Sequence, residues 1–163
     1  MKIATTMEYA ATPEEVFAVL TDQAFQEAKC AATAAIRYTA TIKESGGGAV
    51  ITTERILPAD DLPDFAKNMV GETLKVVETQ TWGAASADGS RTGTVEMAVS
   101  GVPVALNGKL ALAPGGPGSI EHLDSELKAK IPLIGGKIEK AAAKPIEEAI
   151  AIEASTVKEW LAR

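Results

Sequence analysis

Apolar positions recur along this chain first with period two, then with a helical period, then with period two again, and finally with the longest helical pattern of all. Residues 2–10 place Ile3, Thr5, Met7 and Tyr9 on one side and Lys2, Thr6 and Glu8 on the other, which is the alternation of a strand. Thr12-Pro13-Glu14-Glu15 then reads as a helix start. Thr12 suits the N-cap, Pro13 the first helical position and Glu15 the reciprocal capping-box position. Val16, Phe17, Val19 and Leu20 give that helix an apolar face, and it should end near Thr21-Asp22. Asp22 can cap a second helix over roughly 23–33, with Phe25, Ala28 and Cys30 to Ala32 as its less polar positions.

From Ala35 the pattern is that of strands. Ile36, Tyr38, Ala40 and Ile42 alternate with Arg37, Thr39, Thr41 and Lys43, the run Ser45 to Gly48 turns the chain, and residues 49–57 return as the second arm of a hairpin. Residues 58–63 form an acidic loop, and 64–69 can make a helical turn against it. Further strands are predicted over 73–83, 92–100, 104–113 and 119–131, with turns at 85–90 and 114–118. About seven strands joined mostly by short turns favour an antiparallel meander. After Pro132 a helix is predicted from Gly135 to the C-terminus. Ile138, Ala142, Pro145, Ala149, Ile152 and Thr156 form one line, flanked by Ile146, Ile150 and Val157. Pro145 breaks the helical ladder, so either one kinked helix or two shorter helices are possible. The stripe keeps its phase past the proline, which favours one kinked helix lying across a curved sheet.

Composition sharpens this picture. A chain of 163 residues is long enough for one domain with a real core, and nothing marks an internal boundary, so residues 1–163 are read as a single domain. Aromatic residues make up only 4%, so Ala, Val, Ile and Leu do most of the filling, and small aliphatic side chains leave more room than rings do. The formal charge of −6 argues against nucleic acid and weakens electrostatic docking on an anionic membrane. The lone Cys30 excludes an intramolecular disulfide and any multi-cysteine metal site. The N-terminal residues lack the apolar core of a signal peptide, and no run is long enough for an integral membrane span. A cytoplasmic location is expected.

Three stretches carry a family resemblance. They are Tyr9 to Asp22, a strand entering a Pro-Glu-Glu-Val-aromatic helix; Trp82-Gly83, closing a central strand; and Ile131 to Glu139, the entry to the final helix. With the order strand, two short helices, about six strands and a long C-terminal helix, the chain resembles the START-like (SRPBCC) superfamily, in an uncharacterised bacterial branch. The resemblance covers essentially the whole chain and implies an α+β helix-grip fold: a curved antiparallel sheet of about seven strands, two short N-terminal helices, and a long C-terminal helix packed across the sheet. It implies a cavity between sheet and helix that takes an apolar or amphipathic molecule. It carries over no catalytic residue, because that superfamily has no shared catalytic motif, and fold alone does not decide function.

Candidate chemistry is sparse. His122 is the only histidine, and alternation puts it with Asp124, Glu126 and Lys128, opposite Leu123 and Leu127, which is a solvent face. Cys30 is read as a buried structural thiol. Gly135-Gly136 can expose helix-start amides to an anion, but serves first to turn the chain tightly. Asp60, Asp61 and Asp64 lack the spacing of a calcium loop, and 61–69 is a candidate lid. No metal site, cofactor or catalytic set is predicted. Strand parity and the helix stripe nominate Ile36, Tyr38, Met97, Val99, Leu110 and Leu112 as cavity lining, together with Leu123, Leu127, Ala142, Ile146, Ala149 and Ile150. Tyr38 is the polar group expected to orient a ligand. The leading expectation is binding or transport of an apolar or amphipathic, lipid-like or polyketide-like small molecule. The alternatives are a cyclase- or hydrolase-type enzyme using the same pocket, and a protein-interaction module with a filled core.

Overall fold

A computed structural model describes all residues from Met1 to Arg163. The chain opens with strand β1 (Lys2–Tyr9) and helices α1 (Pro13–Leu20) and α2 (Gln23–Ala32). Strands β2 (Arg37–Ser45) and β3 (Gly48–Pro58) form the expected hairpin, and helix α3 (Asp64–Val70) follows. Strands β4 (Thr73–Trp82), β5 (Arg91–Val99), β6 (Val104–Gly115) and β7 (Gly118–Ala129) complete the sheet, and helix α4 (Gly135–Leu161) ends the fold.

The local signals act as their chemistry dictates. Thr12 Oγ1 accepts from the Glu15 N–H at 3.2 Å while Glu15 Oε1 accepts from the Thr12 N–H at 3.1 Å, a closed capping box. Asp22 Oδ1 caps α2 by accepting from the N–H groups of Ala24 and Phe25. At Gly135 a Cβ would lie 2.5 Å from the Ala129 carbonyl oxygen, so only glycine lets the chain fold back from β7 this tightly.

All seven strands lie in one antiparallel sheet, in the order β1-β7-β6-β5-β4-β3-β2. This is a meander from β2 to β7, with β1 returning to the far edge beside β7. The helices cover one face. Along β7 every odd residue from Ser119 to Ala129 is buried and every even residue from His122 to Lys128 is exposed. The architecture is the α+β helix-grip arrangement, with the core between the sheet and α1, α2 and α4.

α4 is a single helix of 27 residues that runs through Pro145, so the two-helix alternative falls away. Pro145 faces solvent, where the carbonyl it leaves unbonded is easiest to hydrate, while Ile138, Ala149 and Thr156 of the expected line and the flanking Ile146, Ile150 and Val157 face inward, joined by Glu153.

Candidate functional site

Between the sheet and α4 lies a cavity with about 610 Å³ of space between atoms, its open mouth included. Part of the lining is apolar. Met97, Leu110 and Leu123 contribute from the sheet, and Ile146, Ala149 and Ile150 from α4, all six expected from the sequence to line it. Met7, Val95 and Leu106 join them.

The rest of the lining is polar and was not foreseen. Lys29 of α2 is 4% exposed and donates to Glu78 Oε1 at 3.1 Å and to Glu153 Oε2 at 2.7 Å. Gln80 Nε2 reaches the same two carboxylate oxygens, at 3.3 and 3.4 Å, while Gln80 Oε1 accepts from the Trp82 indole N–H at 3.0 Å. The indole therefore fixes which way the Gln80 amide points. Burial opposes the charge on Lys29, but the two carboxylates outweigh it and hold its pKa above the usual lysine value. Burial also opposes the charge on Glu78, and there Lys29 and Arg55 win and lower its pKa.

Two further cavity-lining groups stay incomplete. Arg55 is 4% exposed, and its Nε has no hydrogen-bond partner. Glu121 is 1% exposed, and its Oε2 has none. Burial, helped by the Glu153 charge and only partly offset by Lys29, pushes the Glu121 carboxyl up to about 8. Beside it the Tyr9 phenol is buried and donates weakly to Met7 Sδ at 3.7 Å. Burial and the charges of Glu121 and Glu153 raise its pKa well above the usual phenol. Buried polar atoms in folded proteins are nearly always satisfied; of the six buried side-chain atoms without a partner in this chain, Arg55 Nε and Glu121 Oε2 border the cavity, and the others, on Gln26, Thr53, Arg91 and Ser119, do not.

Several expected lining residues lie elsewhere. Tyr38 stands opposite Arg55 across the β2–β3 pair and shares its face, but β2 is the sheet edge and Tyr38 remains 38% exposed, outside the cavity. Ile36, just before the same edge strand, is more exposed still. Leu112 and Leu127 are fully buried in the solid core, away from the cavity. Val99 is half-buried near the far end of β5, opposite Val76. Ala142 belongs to a second, wholly apolar cleft of about 440 Å³, where Leu62, Met69 and Val70 of the α3 region face Val102, Ile138 and Ala141. The 61–69 segment thus borders a cleft, but not the polar cavity.

The remaining candidates stay structural in their surroundings. His122 is exposed, with Nδ1 3.1 Å from Thr6 Oγ1. Cys30 is fully buried, and burial raises its thiol pKa despite the nearby Lys29, the reverse of nucleophile activation.

The sequence matches the model of a family described as a protein of unknown function (DUF2505) over residues 4–161. Over 113 residues it is 26% identical to the uncharacterized protein Rv0481c of Mycobacterium tuberculosis and, equally, to Mb0491c of Mycobacterium bovis. The match covers 68% of this chain but only 64% of the relatives' length. Among solved structures, TTHA0849 from Thermus thermophilus superposes with a TM-score of 0.63 at 14% identity, over 99% of this chain and 97% of that one. A STAR-related lipid transfer protein from Xanthomonas axonopodis gives 0.61 at 14% identity, over 99% and 86%. Ara h 8.0201 gives 0.57 at 15%, over 99% and 97%. At such identities these likenesses show a START-like fold and no more.

Proposed function

For this chain, which belongs to the DUF2505 family, we propose the binding of an amphipathic small molecule in the cavity between the sheet and α4. One observation carries the reading. The cavity sets apolar side chains beside buried polar ones, and two of these, Arg55 Nε on β3 and Glu121 Oε2 on β7, have nothing to bond. Each such group left unsatisfied costs about 1–3 kcal/mol. A ligand with an apolar body and a polar end satisfies both kinds of lining. The name of the Xanthomonas relative, a lipid transfer protein, agrees with this reading.

The test is native mass spectrometry of protein purified without detergent, followed by titration with 1-decanol. A one-to-one adduct is expected in the intact protein. The variant Ala149→Phe, which places a ring in the cavity, should lose it. Absence of any adduct, with wild type and variant indistinguishable, overturns the reading.

Acid–base catalysis in the same cavity is a second reading, favoured by Glu121 alone. With a pKa of about 8 its carboxyl keeps its proton at neutral pH and borders the space a substrate would fill. For that reading the decisive variant is Glu121→Gln, because Tyr38 lies outside the cavity.

A further inference from the structure

Arg55 is the one interior charge whose chemistry nothing in the chain completes. Lys29 is bonded to both Glu78 and Glu153. Glu78 lies diagonally from Arg55 across the β3–β4 pair, where Arg55 faces Val76 and Glu78 faces Thr53, and its charge lowers the cost of burying Arg55, yet its Oε1 is committed to Lys29 and Gln80. Glu153 bonds to Lys29 and Gln80 in the same way. Glu121 is largely protonated at neutral pH, so it adds little negative charge to the cavity. The nearby Thr33 side chain is neutral and bonds back to the Cys30 carbonyl. The guanidinium is left as a buried cation that takes no part in the interior ion pairs and has an orphaned Nε–H.

Such a group is selective. A guanidinium presents planar, paired N–H donors that match the two oxygens of a carboxylate. With Glu121 neutral, Lys29 and Arg55 balance Glu78 and Glu153, so one bound carboxylate would add a single net negative charge, offset by its direct contact with the guanidinium, and a dianion would add two. A phosphate dianion would meet Glu78 and Glu153 with only one uncommitted cation against it. A neutral head group would leave the guanidinium without its charge-assisted partner.

We infer that the ligand is an organic acid, an amphiphile whose carboxylate docks on Arg55 and whose apolar body lies along Met97, Leu106 and Leu123 beneath Ile146 and Ile150. The inference rests on the reading that this cavity binds an amphiphile, and it names the head group.

Calorimetric titration of the intact protein at pH 7 with decanoate and with 1-decanol separates the two claims. Decanoate is expected to bind about tenfold or more tighter than decanol, the worth of one charge-assisted contact. Arg55→Met should abolish that preference, so that decanoate binds no tighter than decanol does to the same variant. Because this variant can also disturb folding, the wild type supplies an independent readout. The Arg55 Nε–H resonance should shift and become protected from solvent exchange with decanoate, and should not respond in this way to decanol. If decanoate binds no tighter than decanol and the resonance stays put, the head-group inference is overturned while the cavity reading stands. If neither compound binds, both are overturned.

Discussion

Glu121 shows how one residue's surroundings set the pH behaviour of the fold. Its carboxyl is raised from an ordinary 4.5 to about 8, first by burial and then by the charge of Glu153. Between these values the folded chain keeps a proton that the unfolded chain releases. The native state therefore binds more protons, and stability must fall as pH rises. This contribution is fully present below about pH 4.5 and is lost as the pH climbs through about 8. Glu121→Gln copies the neutral shape without titrating. The variant should match wild type near pH 5 and exceed it at pH 8 by about 2–4 kcal/mol. Urea unfolding of both proteins across that range is the measurement, and parallel curves would show that Glu121 ionises as it does in water. Its inward position was legible in the sequence. Glu121 shares parity with Leu123 and Leu127, the residues that placed His122 outside. What alternation does not report is that a charged residue on the apolar side can be kept there by its charge state.

Three elements meet at Lys29, which α2 delivers to Glu78 on β4 and Glu153 on α4. Removing only the cation leaves two buried carboxylates facing each other, so Lys29→Met should cost about 3–5 kcal/mol. Neutralising all three, as Lys29→Met with Glu78→Gln and Glu153→Gln, should recover much of that loss, because the buried charges go together. A triple variant as unstable as the single one, in the same denaturant titration, would show that Lys29 matters for its packing alone. Pro145 offers the opposite case. It faces solvent inside a continuous α4 and removes one ladder hydrogen bond, so Pro145→Ala should stabilise the fold by about 1 kcal/mol, read as a Tm rise of about 2–4 °C. These contacts also show why the elements were readable and the site was not. Hairpins, caps and the closing helix are written in local period and turn residues, so their order emerged correctly from Lys2 to Leu161. Lys29 falls one turn after Phe25, and Glu153 falls in line with Ile146, Ile150 and Val157, so both were on apolar faces. Each alone looks like a solvated charge at the edge of a stripe. Only the crossing of α2 and α4 over β4 makes them partners, and that crossing has no local signature. Tyr38 misled for the complementary reason: its parity was right, but parity does not reveal that β2 ends the sheet.

At the scale of the whole molecule, the question is whether the interior is finished without a ligand. The net charge of −6 lies mainly on the surface, while the cavity holds a nearly balanced set of ionic groups inside an aliphatic shell. A long helix closes that shell over the sheet, so a molecule held beneath α4 touches both layers and adds to the contacts that hold them together. Linkage then fixes what binding must do to stability. A ligand with affinity for the folded state alone adds about 2.7 kcal/mol at a concentration of one hundred times its Kd. For a chain of this length that corresponds to a Tm rise of about 5–10 °C. Decanoate should produce that rise in wild type. Ala149→Phe should show none with ligand, yet match or exceed wild type without it, because the ring occupies the space the ligand would fill. Differential scanning calorimetry of both proteins, with and without decanoate, makes the comparison. A variant destabilised by several degrees when empty, beside a wild type that ignores the ligand, would mean that the space is already filled by its own side chains and that α4 closes over a solid core.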